Sequence, residues 1–259
     1  MSGEILVTRE NAVGRITISN PGKRNALSRR MWTDLGDVVQ SLSADDDLRC
    51  IVLRGAGSEA FGSGADIDEF EQLRSTKSRA VEFAVDAHRT MLAVRDCPIP
   101  TIAAIQGACV GGGLELAAWC DLRISSDNGK FAIPIARLGA VLAYPELEGL
   151  VNLVGPRVAL EMLLEGRVFN AAEALDKCIL SRVVPLADFD VELEKSIQRV
   201  CAGAPLSARW HKRFVRRLNG STPLSDAELA EGFDCYDTQD YIEGYRSFLE
   251  GRTPKFIGK

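Results

Sequence analysis

The chain has 259 residues with a formal net charge of −5 and a pI near 5.3. That balance argues against nucleic acid or an anionic membrane as the main partner, though local Lys and Arg can still hold a phosphorylated ligand. With 46% apolar and 26% charged residues there is ample material for a packed core, and no window reaches the roughly 18 consecutive apolar residues of a membrane span.

Val13-Gly14-Arg15-Ile16-Thr17-Ile18 alternates and is rich in β-branched residues, so it reads as a strand with Ile5 to Val7 as its partner. Asn20-Pro21-Gly22 is a turn signal. Ser28 is a good N-cap for a helix running to about Ala44 and stopping at Asp45-Asp46-Asp47. Cys50-Ile51-Val52-Leu53 is a short continuous apolar run, the mark of a strand buried on both faces. Gly55 to Asp66 reads as a loop and Ser78 to Val94 as a second long helix. Thr101 to Ile105 is another buried strand, followed by the glycine run, a short helix through Leu116 to Trp119 and a strand at Leu122 to Ser125. Pro145 suits the first turn of a further helix, and Arg157 to Leu164 extends the helical character. Ala171 to Ala174 begins another helix, and Val183-Val184 is a last strand. From about Asp190 the pattern is helical, with breaks near Pro205, Gly220 and Pro223. Strands alternating with helices predict an α/β core, residues 1–190, with a helical region over 191–259.

Met1-Ser2-Gly3-Glu4-Ile5 has no basic stretch leading into an apolar run, so no signal peptide is expected. The seven cysteines are scattered without a Cys-x-x-Cys pair and read as reduced thiols of a cytoplasmic protein. His88 and His211 lie far apart without metal-ligand spacing, and no metal is expected.

Gly55-Ala56-Gly57-Ser58-Glu59-Ala60 fits the loose dinucleotide pattern, but that fingerprint needs a helix to open at once, and Phe61 to Ala65 continue the loop. Two other glycine-rich segments each follow a buried strand: Phe61-Gly62-Ser63-Gly64-Ala65-Asp66 and Gly107-Ala108-Cys109-Val110-Gly111-Gly112-Gly113. Glycine lets backbone N–H groups approach a ligand closely, and in the second segment a helix starts directly behind them. Amides from two such loops can converge on one oxygen and stabilise charge that develops there. The same glycines would also serve as tight turns.

Arg24-Asn25-Ala26-Leu27-Ser28, Phe61 to Ile67, and Gly107 to Asp121 resemble successive signatures of the enoyl-CoA hydratase/isomerase (crotonase) family, in matching order and spacing. The tail from Tyr241 to Phe256 resembles the family's closing motif, so the likeness covers nearly the whole chain. It implies a crotonase spiral of β-β-α units with a C-terminal helical trimerisation region. It also implies a coenzyme A thioester as substrate with no separate cofactor, and a homotrimer or a hexamer of two trimers. The backbone amides of Ala65 and Gly112 would polarise the thioester carbonyl. Asn25, Ala26 and Leu27 would lie beside the CoA, with Ala65, Asp66 and Ile67 near its adenine. Phe248 matches a position that binds CoA from a neighbouring subunit. The usual lysine three residues later is Gly251 here, which leaves Arg252 to supply the charge.

Hydratases of this family use two glutamates around one water. One corresponds to Glu115, whose alternative role is a solvated first-turn residue favouring the helix dipole. The other position is held by Ile135, and the carboxylate site of some isomerases aligns with Ala143. Candidates to fill the gap are Tyr144 and Glu146, with Glu148 behind them, although Pro145-Glu146-Leu147-Glu148 also reads as an ordinary acidic helix start. Arg137 is a candidate partner for a substrate carboxylate or for Glu115. The expected activity is that of an enzyme transforming acyl-CoA or enoyl-CoA esters, with Glu115 as acid/base. The alternatives are a decarboxylase or hydrolase using one carboxylate, with a tail like that of the methylmalonyl-CoA decarboxylase branch, or a non-catalytic acyl-CoA-binding homologue.

Overall fold

The computed structural model describes residues 3–259. The chain opens with an antiparallel pair, β1 (Glu4–Glu10) and β2 (Val13–Ser19), in which Ile5 faces Ile18 and Val7 faces Ile16. Helix α1 (Arg29–Ser43) follows, and the Ser28 hydroxyl accepts from the Met31 N–H, as an N-cap should. Three units of similar build come next. The first is β3 (Cys50–Gly55), β4 (Ala60–Gly62), the short α2 (Phe70–Leu73) and the long α3 (Lys77–Asp96). The second is β5 (Thr101–Ile105), β6 (Ala108–Val110) and α4 (Gly112–Ala118). The third is β7 (Leu122–Ser126), β8 (Lys130–Ala132) and α5 (Tyr144–Glu165). Then come β9 (Phe169–Asn170), α6 (Ala171–Asp176), β10 (Arg182–Val184) and the helices α7 (Phe189–Ala202), α8 (Pro205–Leu218), α9 (Asp226–Glu231) and α10 (Gln239–Glu250).

Each unit sends its first strand to one sheet and its second to another. The large sheet has the order β1-β2-β3-β5-β7-β10 and is parallel from β2 onward; the small one is β4-β6-β8-β9. This is the α/β spiral of β-β-α units expected from the sequence. The small sheet is where the sequence reading fell short, because β4 and β6 lie inside segments read as glycine loops. Strands of three residues are too short to show a period, and their glycines mask what apolar character they have.

Strands β3 and β5 are buried on both faces, so their alternate side chains feed two cores. Ile51, Leu53, Ala103 and Ile105 join the main core with Trp32, Leu35 and Val39 of α1 and Phe83, Met91 and Val94 of α3. Cys50, Val52, Ile102 and Ala104 point the other way, against Phe189, Leu193 and Ile197 of α7. Helix α7 thus seals the second face of the sheet. Helix α5 breaks at Gly155, where φ is 72°, and Pro156 begins its second half. No helix among the described residues is long and apolar enough to cross a membrane.

Candidate active site

Parallel pairing of β4 with β6, Ala60 against Ala108 and Gly62 against Cys109, brings the loops at their C-terminal ends to one edge. The loops then pack backbone on backbone. Gly64 has a φ of +96°, and a Cβ there would lie 3.1 Å from the Gly112 nitrogen; a Cβ on Gly113 would lie 2.3 Å from the Gly62 oxygen. Side chains at these positions would drive the loops apart, which is the physical reason for glycine. Ala65 is fixed from behind by Leu27, whose N–H donates to the Gly64 oxygen at 2.8 Å and whose oxygen accepts from the Asp66 N–H at 2.9 Å. Among the described residues, neither the Ala65 nor the Gly112 N–H has an acceptor. Two neighbouring amide donors are therefore available to a ligand oxygen, with the start of α4 behind one of them.

Both amides border a cavity of about 130 Å³ whose wall also includes Glu115, Ile135 and Glu146. Glu115 stands in the first turn of α4 and is 6% exposed. Burial, and then the negative charge of Glu146, push its carboxyl up to about 8, while Arg74 acts in the opposite sense. Glu146 stands in the first turn of α5 and is 7% exposed. Its Oε2 accepts from the Ala143 N–H at 2.6 Å, and its Oε1 lies 3.2 Å from His88 Nε2 on α3. The backbone bond is half of a capping box; Ala143 has no side chain to complete it. Thus Ile135 and Ala143 carry no acid, as expected, yet a second carboxyl group reaches the same cavity from three residues further on.

Ala65, Ile67, Gly112, Glu115 and Glu146 come together at this cavity. Other candidate residues lie outside the cavity wall. Tyr144 is 89% exposed and outside the cavity wall, because at the first position of α5 it lies on the face opposite the core. Glu148 is exposed. Arg137 is also exposed, on the outer side of a 3-10 turn, and pairs with no carboxylate among the described residues. Asn25 is 1% exposed, and its amide is consumed inside the chain, donating to the oxygens of Ala56 and Ala60 and accepting from the Asn20 N–H. Ala26 and Leu27 are buried, and Asp66 is paired with Lys23. These four support the first amide loop and do not line the cavity. Phe248, expected at the CoA of a neighbouring subunit, is 85% exposed and is not part of this chain's own cavity wall. The Arg252 guanidinium is held by Glu243 at 2.6 and 2.8 Å and by Glu250, so its charge is already neutralised within the chain.

His88 and Arg74 are members of the site that the sequence did not reveal. His88 is a lone histidine on a helix, and Arg74 ends a four-residue helix in a polar stretch. Neither stands in a motif, and only the packing of α2 and α3 on the glycine loops brings them in. Among the described residues no three His, Cys, Asp or Glu side chains converge as a metal site requires.

The family model described as enoyl-CoA hydratase/isomerase matches residues 8–259. A probable enoyl-CoA hydratase of Mycobacterium bovis is 34% identical over 255 residues, covering 97% of each chain. The crotonyl-CoA hydratase of Syntrophomonas wolfei is 30% identical, covering 98% of each. A crystal structure described as an enoyl-CoA hydratase/carnithine racemase, from Magnetospirillum magneticum, superposes with a TM-score of 0.97 at 45% identity, covering 98% of this chain and 96% of that one. With its β-β-α spiral, paired glycine loops and near full-length matches, the chain belongs to the enoyl-CoA hydratase/isomerase family of the crotonase superfamily.

Proposed function

We propose that this enzyme adds water to the double bond of an enoyl-CoA, using Glu146 as base and Glu115 as acid. One observation carries the reading: two carboxyl groups of unlike environment share one cavity with two unengaged backbone amides. In the step derived from it, Glu146 takes a proton from water as the water oxygen bonds to Cβ. The electron pair of the double bond moves toward the thioester carbonyl, whose oxygen is held by the Ala65 and Gly112 N–H groups. Glu115 then delivers its proton to Cα, and a proton shared between the two carboxyl groups resets the pair. In such reactions a donor aimed at the oxyanion contributes about 10² to 10³-fold, and a positioned acid or base about 10² to 10⁴-fold. The readings with a single carboxylate rest on an empty second position, and Glu146 supports two-carboxylate chemistry instead.

The adenine and ribose phosphates of CoA are assigned to the surface near Ile67, which is 64% exposed at the cavity rim. The exposed Phe233, Phe248 and Leu249 of the C-terminal region support a trimer, or two trimers, in which Phe248 meets the CoA of a neighbour. The test is incubation with crotonyl-CoA in deuterated water, with the mass in solution measured on the same sample. The expected product is 3-hydroxybutyryl-CoA carrying one deuterium at Cα. CoA release, or no hydration of crotonyl-CoA and of short enoyl-CoA esters with a terminal carboxylate, would sink the assignment.

A further inference from the structure

Arg74 ends α2 and lines the cavity. The centre of its guanidinium lies 4.8 Å from the ring centroids of both Phe70 and Phe83, which line the same cavity. Rings held this way cover the flat faces of a guanidinium and leave its N–H edge as the reactive part. Among the described residues that edge has no carboxylate and no side-chain hydrogen bond, whereas Arg29, Arg89, Arg167 and Arg252 each have a carboxylate partner. Glu115 is near enough to feel the charge of Arg74 but makes no ion pair with it, and it holds its proton up to about pH 8. The neighbouring wall is apolar, formed by Ala87, Met91, Ile133 and Leu142. Arg74 is half-buried, and a plain hydrocarbon chain lying against it would shield its N–H edge from water without offering an acceptor, whereas a carboxylate would pair with it.

We infer that the acyl group of the natural substrate carries a carboxylate, and that the guanidinium of Arg74, clamped by Phe70 and Phe83, receives it. This rests on the reading of the cavity as an acyl-CoA site and names the class of acyl chain that enters. The cavity of about 130 Å³ limits the group to a short chain, since an apolar cavity of about 150 Å³ holds one benzene molecule.

The test is calorimetric binding of same-length saturated pairs to the intact enzyme: glutaryl-CoA against pentanoyl-CoA, and adipyl-CoA against hexanoyl-CoA, with free CoA alongside. The expected result is at least about tenfold tighter binding of the acidic member of one pair, the range of a charge-assisted hydrogen bond. In Arg74→Met that ratio should collapse to within about threefold, and Arg74→Lys should restore part of it. Equal binding within both pairs would overturn the inference while leaving the acyl-CoA reading intact. So would an Arg74→Met variant that weakens free CoA as much as adipyl-CoA, since Arg74 would then be meeting CoA phosphate. Failure to bind any of the five ligands would remove the acyl-CoA reading, and this inference with it.

Discussion

Glu115 and Glu146 occupy equivalent places in their helices, each in the first turn, each almost fully buried, each at the wall of one cavity. Their surroundings differ. Glu115 accepts no hydrogen bond from any side chain or amide among the described residues, and burial pushes it toward the protonated form. Glu146 has a backbone N–H on one oxygen and the His88 ring beside the other. The contrast is what the proposed division of roles rests on: burial without donors favours the protonated form of Glu115, as an acid requires, while Glu146 is oriented by the groups on its two oxygens, as the proposed base would be.

The strongest way to break this pairing is to remove each carboxyl in turn. Glu115→Gln and Glu146→Gln should each lower kcat for enoyl-CoA hydration by about 10² to 10⁴-fold. The double variant should lose far less than the product of the two, because the groups act on one water. If Glu146→Gln keeps near full activity, Glu146 is only a helix cap. A smaller effect is expected at His88, a positioning residue that acts through Glu146. His88→Leu should lower kcat by about tenfold to a hundredfold with KM little changed, and His88→Gln, which keeps a donor, should recover part of it. A KM change of the same size as the kcat change would point to a merely structural role.

The smallest effect is on stability. The folded protein holds the Glu115 proton up to about pH 8, whereas an unfolded glutamate loses it near pH 4.3. Between these limits the unfolded chain binds fewer protons, so stability falls as pH rises, by at most about 1.4 kcal/mol per pH unit. Glutamine cannot ionise. The Tm of Glu115→Gln relative to the parent should therefore rise by several degrees between about pH 5 and pH 8, at about 2–4 °C per kcal/mol for a chain of this size. A difference that stays flat across that range would remove the acid role assigned to Glu115.

Much of the frame was legible in the sequence. Apolar runs at Cys50–Leu53 and Thr101–Ile105 marked strands buried on both faces, Ser28 marked a helix start, and the glycine loops with Glu115 marked the amide donors. These signals are local: a capping hydroxyl, a two-residue period or a positive-φ glycine is written within a few residues. The rest depended on elements distant in sequence. Strands β4, β6 and β8 are too short to declare themselves and exist because neighbouring strands complete their hydrogen bonds. Asn25 carries a family signature, yet only the structure shows its amide spent on Ala56 and Ala60. That Glu146 and not Tyr144 faces the cavity follows from which side of α5 packs on the core. Equally, Arg74 and His88 enter only because α2 and α3 fold over the loops. The sequence determined which chemical groups were present and which turns they could make. The tertiary structure decided which of them share an environment, because burial and the charge of Glu146, acting across long sequence separations, raise the Glu115 carboxyl above its ordinary range.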